Sequence, residues 1–152
     1  MNRVFVEVFF FSVTAEGLMF RVESELLPED ISPVELVHII AGWVDSPPEG
    51  SVAHSTSWRY DAGDIVLSWA VSPDVSLTQL TQVLTTSVAL GASAVSPVVL
   101  NLSVNMVAAH AARHLAFLLH TDPLVSAALH SRADLHNALV GTFPSVAGNP
   151  HF

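Results

Sequence analysis

The sequence predicts an α+β fold in which two β-hairpins form an antiparallel sheet (ββαββ) that packs against C-terminal helices. Two observations predict it: apolar and polar residues alternate with period two in four segments, and apolar residues recur at helical spacing elsewhere. The predicted strands are residues 3–12, 17–26, 52–60 and 65–72. The 152 residues have room for one such domain, which we expect over residues 1–143, with a tail over 144–152.

The first hairpin has a predicted turn at residues 14–16, between two strands that each have one apolar face. Alignment of those apolar faces also places opposite charges across the hairpin, so the hydrophobic and the charge patterns favour one register. The predicted opposite pairs are Val8 with Phe20, Glu7 with Arg21, and Arg3 with Glu25.

The first helix is predicted over residues 33–44, because Ser32, Pro33 and Glu35 are the residue types of the N-cap, N1 and N3 positions. The second hairpin follows, with a tight turn at residues 61–64. Its predicted opposite pairs are Tyr60 with Ile65, Trp58 with Leu67, and Thr56 with Trp69.

The C-terminal half is predicted to be mainly helical. Residues 76–90 favour a helix that gives way to extended chain, although residues 85–90 fit a short strand equally well. A longer helix is predicted over residues 103–120, and its near lack of charge is typical of an enclosed helix. Two short helices are expected after it, capped by Asp122 and by Ser131.

The composition indicates a folded, acidic protein, because 51% of the residues are hydrophobic, only 12% are charged and the net charge is -9. The absence of cysteine excludes disulfides and thiolate chemistry and is compatible with the cytoplasmic location that we expect. The five cationic residues are all arginine, which excludes the lysine of phosphate-binding loops and Schiff-base chemistry. Nucleic acid is not expected as a partner, because its phosphates repel an acidic chain.

Sparse charge leaves too little polar surface to cover a monomer, so we expect a homodimer or a larger homo-oligomer. Residues 75–112 contain no Asp, Glu, Lys or Arg and are the predicted contributor to the interface. The alternative for this segment is a membrane span. It is disfavoured because Ser93, Asn101 and Asn105 interrupt the segment and no basic cluster flanks it.

Two segments contain the candidate functional side chains. In the string HSTSWRY, period two places His54 on one face of a strand and Arg59 on the other. On the long helix, His110 and His114 are four residues apart and project from one side, next to Arg113. At a sheet–helix junction the histidines could act as acid, base or ligand, and an arginine could anchor an anion.

Each candidate also has a purely structural interpretation. Trp58 and Tyr60 would pack in the core while Arg59 meets solvent or pairs with a carboxylate. The two helix histidines would lie at the edge of a core or of an interface. Arg113, in so apolar a helix, requires an acidic partner, for which the first hairpin offers Glu7, Glu23 and Glu25. Of these, Glu23 is left without a partner by the predicted cross-strand pairing.

A metal site on the long helix is the remaining possibility that the spacing suggests. His110 and His114 have the spacing of a metal pair, but Ala111 stands where the zincin motif has Glu. A third ligand would have to come from Glu7, Glu23 or His54. We expect neither a bound metal nor a cofactor.

The strings HSTSWRY and HAARHLAFLLHTDP resemble stretches of uncharacterised bacterial proteins that have no assigned activity. The resemblance implies no reaction and transfers no site residue to this chain. It indicates only that the two segments belong together.

Two classes of function therefore stay open at the level of sequence. The first is a non-catalytic module that self-associates or binds a partner or an apolar ligand through its low-charge surface. The second is a small enzyme, or a metal- or anion-binding site, at the sheet–helix junction. Geometry discriminates between them, because catalytic groups that cooperate must lie within direct reach of one another.

Overall fold

The computed structural model describes residues 3–74, 76–83, 91–93, 96–99 and 103–141. In chain order the elements are β1 (Val4–Thr14), β2 (Gly17–Leu26), α1 (Pro33–Ala41), β3 (Val52–Asp61), β4 (Asp64–Ser72), β5 (Thr81–Gln82), β6 (Gly91–Ser93), β7 (Ser96–Val99), α2 (Val104–Thr121), α3 (Pro123–His130) and α4 (Ala133–Val140). The predicted tail lies outside the described residues.

A mixed sheet in the order β3-β4-β1-β2-β5 is the centre of the fold, and β6 pairs with β7 separately. β1 is antiparallel to β2 but parallel to β4, while β3 and β4 form the second hairpin. The α+β class is confirmed, and so is the order of the first elements. The sheet is not wholly antiparallel, because the connection through α1 places the second hairpin beside β1 with β4 running in the same direction.

Helices cover the sheet on both sides, so β1 is buried on both faces. Its Val8 and Phe10 pack against α1, on the side that we call the α1 face. Its Phe9 and Phe11 pack against α2, α3 and α4, on the side that we call the α2 face. A strand buried on both faces consists of nearly continuous apolar residues, which explains the sequence of β1.

α2 confirms the longest predicted helix, and Ser103 caps it by accepting a hydrogen bond from the N–H of Met106. Its low charge has an internal cause, because the helix is enclosed by the sheet and by α3 and α4. The fully buried alanines of α2 are Ala108, Ala109, Ala111, Ala112 and Ala116. Among the described residues, no helix has both the length and the apolarity that crossing a membrane requires.

The first hairpin forms, but its register differs from the predicted one. Val8 pairs with Glu23 rather than with Phe20, so the predicted cross-strand charge pairs are wrong. The reason is the turn: Gly17 follows it with φ +109°, a conformation that glycine adopts without strain. The chain therefore reverses at residues 15–16, and this position sets the register of the whole hairpin.

The second hairpin has the predicted turn. Ala62 (φ 50°) and Gly63 (φ 86°) both have positive φ, as in a two-residue type I′ turn. Tyr60 pairs with Ile65 and Trp58 with Leu67 as predicted, whereas Ser55, not Thr56, faces Trp69.

A β-bulge in β3 causes that last difference. The register shifts between Ser55 and Ser57, which leaves Thr56 as the extra residue. One extra residue reverses the alternation of side chains along the strand. His54 and Arg59, predicted on opposite faces, consequently both lie on the α2 face.

Residues 76–83 are not helical, contrary to the prediction. Leu77 and Gln79 have φ values of 51° and 54°, which no right-handed helix accommodates. The Asp74 carboxylate accepts the N–H of Ser76, so a local side-chain bond replaces helical bonding. Residues 85–90, where a short strand was the alternative, lie outside the described part of the chain.

The remaining helices differ from the prediction mainly at their ends. α1 starts after Ser32 as predicted, but ends at Ala41 because Gly42 adopts φ 76° and caps it. α3 follows its predicted cap, Asp122. α4 has no side-chain cap, since the hydroxyl of Ser131 donates to a carbonyl oxygen of α3 instead.

Candidate functional site

The structure divides the five candidate residues into two groups on the α2 face. His54, His110 and His114, which we call the histidine cluster, lie where α2 crosses β3, and Arg113 is on the same helix. Arg59 belongs to a second group, in which it binds Glu7 of β1. The sequence placed all five together, but these contacts form two separate networks.

The histidine cluster joins α2 to the bulge of β3. The ring centroid of His114 is 5.6 Å from that of His54 and 6.3 Å from that of His110. Nδ1 of His54 lies 2.9 Å from the carbonyl oxygen of Ser55, and His110 hydrogen-bonds to the backbone of Thr56. The bulge thus supplies backbone partners for two of the three rings.

Burial favours the neutral form of the two helix histidines, His110 and His114. Removal from water lowers the pKa of His114 to about 4, and repulsion from His54 and His110 acts in the same direction. Burial also lowers the pKa of His110, as does the nearby charge of Arg113, while the bond to the backbone opposes both. Nδ1 of His114 is itself buried without a hydrogen-bond partner. Such rings serve as packed neutral groups rather than as acids.

Arg113 is buried, with 7% of its surface exposed, and burial lowers its pKa. Its predicted partner Glu23 lies on the α1 face, because it pairs with Val8 across the first hairpin. There Glu23 accepts a hydrogen bond of 2.8 Å from Arg21. The predicted bridge between Arg113 and Glu23 is therefore wrong.

Arg59 and Glu7 form a two-pronged ion pair. Nη1 of Arg59 is 2.9 Å from Oε1 of Glu7, and Nη2 is 3.1 Å from Oε2. The buried hydroxyl of Ser68 donates to Oε1 at 3.0 Å and lies 3.2 Å from Nη1. Planar, bidentate pairing of this kind fixes both side chains. Arg59 is therefore paired with a carboxylate, which is one of the two arrangements that its structural interpretation predicted.

An open depression of about 280 Å³ lies next to this ion pair on the α2 face. It is bordered by Phe5, Glu7, Arg59 and two aspartates of the second hairpin, Asp61 and Asp64. One of them, Asp64, hydrogen-bonds Arg3, which lowers the pKa of the Asp64 carboxyl. Ionic groups around the depression are thus mostly paired within the chain.

Metal ligation would need a third group beside the helix histidines. Of the three predicted sources, Glu7 is bound by Arg59 and Glu23 faces the other side of the sheet, which leaves His54. In the described ranges, no three His, Asp or Glu side chains are arranged to hold a metal ion.

Trp58 and Tyr60 are not in the core, contrary to their structural interpretation. Their exposed fractions are 61% and 63%, and their rings contact edge to face with centroids 5.4 Å apart. We call them the edge aromatic pair. They are exposed because β3 is the last strand of its sheet and α1 packs over β1 instead.

Sequence reasoning missed the roles of Glu7 and Ser68. The signal for Glu7 was present, because it is a single carboxylate inside the apolar run VFVEVFFF. A carboxylate in a strand that is buried on both faces of the sheet requires a cationic partner. Arg59 could not be identified as that partner, because the parallel pairing of β1 with β4 is a long-range feature that brings Glu7 beside Ser68.

Comparison with known proteins gave no match to a family model, to a curated protein or to a solved structure.

Proposed function

We propose that the chain is a non-catalytic module that self-associates as a homodimer through the outer edge of β3. The observation that carries the proposal is the edge aromatic pair, which lies exposed on a strand that no other described strand covers. Exposed edges are ready templates for pairing with another chain, and large aromatic side chains dominate the energy of many interfaces.

The backbone of β3 supports pairing at this position. Asp61 and Asp64 close the two-residue turn, and hydrogen-bonded and non-hydrogen-bonded residues alternate along the strand from there. Trp58 and Tyr60 are consequently the residues whose N–H and C=O groups point away from β4. A second strand can satisfy those groups and cover the aromatic rings at the same time.

Charge complementarity favours a second copy of the same chain. In antiparallel pairing about a two-fold axis at Tyr60, Arg59 of each copy stands opposite Asp61 of the other. Asp61 is exposed, whereas Arg59 keeps 24% of its side chain accessible beside Glu7. The two-fold axis therefore forms two identical attractive contacts and sets no like charges opposite each other.

The two candidate groups support a structural rather than a catalytic interpretation. Arg59 and Glu7 satisfy each other, and the hydroxyl of Ser68 is consumed by the same pair. The rings of His110 and His114 have lowered pKa values and are held at the joint between α2 and β3. Groups engaged in this way fasten elements together and have little capacity to exchange protons with a substrate.

The test is the molar mass in solution, measured by size-exclusion chromatography with light scattering at about 5–100 µM protein. We expect the mass of a dimer for the unmodified chain. The double variant Trp58→Lys, Tyr60→Lys should give the monomer mass, because charges on an edge strand oppose pairing. Asp61→Lys should weaken the dimer by placing like charges opposite each other.

The matched control is Ile39→Lys, because Ile39 is also 63% exposed but belongs to α1 rather than to β3. It should leave the dimer intact. A monomer at every concentration, or a dimer that survives the double variant, would refute the proposal.

A further inference from the structure

We infer that the histidine cluster is an acid-sensitive latch that holds α2 on β3. This inference goes beyond self-association, because it concerns the docking of a helix within one chain. Its basis is the geometry of the junction: imidazoles from two elements meet there, and the backbone of the bulge binds the ring from the helix.

The latch connects parts of the chain that are distant in sequence. His54 belongs to β3, whereas His110 and His114 lie on adjacent turns of α2. Contact of His114 with His54 and the bond from His110 to Thr56 both cross the junction. Separation of α2 from β3 would break both contacts and expose all three rings to water.

Among the described residues, the charged groups that shift the pKa values of the two helix histidines are imidazoles and a guanidinium, not carboxylates. His114 is influenced by His54 from β3 and by His110 from its own helix, and His110 is influenced by Arg113. All of these are neutral or positive. On the same sheet face, Glu7 of β1 is already neutralised by Arg59.

The short helices that pack on α2 carry two further histidines. His130 of α3 and His136 of α4 contact each other, with ring centroids 4.6 Å apart, and Nδ1 of His130 is 2.7 Å from the carbonyl oxygen of Ser126. Among the described residues, the guanidinium of Arg113 opposes a proton on His110, and the neighbouring imidazoles oppose a proton on His114.

Acid must consequently favour the open junction. The closed state holds His114 neutral down to a pKa of about 4, whereas a ring exposed to water takes up a proton near pH 6.5. Between these values the open state binds more protons than the closed state, so its population rises as the pH falls. We expect an increase of about tenfold between pH 7.5 and pH 5.0 for the half-buried ring.

The experiment measures hydrogen–deuterium exchange of the full chain at pH 7.5 and pH 5.0, with protection factors corrected for intrinsic exchange rates. Protection of the α2 amides should fall by about tenfold at the lower pH. In His114→Gln, which cannot titrate, the fall should shrink to about threefold or less. The matched control is His120→Gln, because His120 lies on the same helix but is exposed, and it should behave as the unmodified chain does.

A second measurement on the unmodified chain needs no variant. In an NMR titration of the imidazole rings, His114 should stay neutral through pH 5. Titration of His114 near pH 6.5, unchanged α2 protection at pH 5.0, or an equal fall in His114→Gln would each overturn the inference.

Discussion

The charged side chains on the sheet mostly pair inside the chain. Arg59 and Glu7 form one such pair on the α2 face, and Arg21 forms another with Asp74 on the α1 side, where its guanidinium also lies 4.0 Å from the centroid of the Phe10 ring. Partly buried pairs are sensitive to the loss of one partner, because the remaining charge then lacks compensation. The few ions of this sequence therefore matter more than surface charges normally do.

Glu7→Gln tests the pair on the α2 face. We expect it to lower the free energy of unfolding by about 2–3 kcal/mol, because Arg59 would keep its charge in a partly buried position. Denaturant unfolding monitored by tryptophan fluorescence measures the change. Adding Arg59→Gln should restore part of the loss, since no uncompensated charge would then remain.

The control for that substitution is Glu25→Gln, which makes the same change of charge at an exposed position of β2. Its effect should stay within about 0.5 kcal/mol. Equal losses for the two variants would show that net charge, rather than the specific pair, determines stability.

The positions of individual helices and strands depend on local interactions and can be predicted from the sequence. The register of the strands and the contacts between elements depend on residues distant in sequence and cannot. Caps at Ser32, Ser103 and Asp122 were readable because each satisfies the first turn of its helix locally. The bulge at Thr56 was not readable, because it depends on how β3 fits β4 and α2. That one residue decided which face His54 occupies, so the candidate site could not be assembled correctly from spacing alone.

The turn of the first hairpin offers a test of what sets its register. Gly17→Ala should lower the free energy of unfolding by about 1–2 kcal/mol, because alanine is strained at φ +109°. Among the described residues other than its chain neighbours, the nearest atom to the added methyl group is Nε2 of Gln82 at 3.9 Å, so the expected cost is strain of the backbone. Thermal unfolding followed by circular dichroism measures it.

Gly141→Ala is the matched control, because Gly141 follows α4 with φ -75° and has ordinary contact distances around the added atom. Its stability should change by less than about 0.5 kcal/mol. A comparable loss in both variants would contradict the assignment of the register to Gly17.

The buried alanines of α2 allow a test of how tightly this helix packs. Ala112→Leu should lower the free energy of unfolding by about 1–3 kcal/mol, because Ala112 is fully buried and added methylene groups strain a close-packed core. Chemical denaturation measures the loss. Ala127→Leu on the exposed side of α3 is the control and should be close to neutral, whereas similar losses would mean that α2 packs loosely.

At the scale of the whole molecule, sparse charge has two consequences. Part of the uncharged sequence is buried within the chain, because α2 and both faces of β1 are enclosed. Composition predicted that such enclosure was needed but not where it occurs. The edge aromatic pair is among the apolar side chains that remain exposed, although the alternating pattern assigned it to the core because an edge strand and an inner strand have the same period.

Stability of the whole chain should also depend on pH in a defined window. The pKa values of His110 and His114 are lowered in the folded state, so the unfolded chain binds more protons once the pH falls below about 6.5. Stability is therefore expected to fall from pH 7.5 toward pH 4.5, by about 1–2 kcal/mol for His114 after allowance for its partial exposure. The Asp64 carboxyl has a lowered pKa as well, and its contribution is lost only when the pH falls below about 4. Urea unfolding at pH 7.5, 5.5 and 4.5 tests the imidazole window, and a further measurement at about pH 3 tests the Asp64 window. A stability that stayed level from pH 7.5 to pH 4.5 would mean that the imidazoles are solvated in the folded protein.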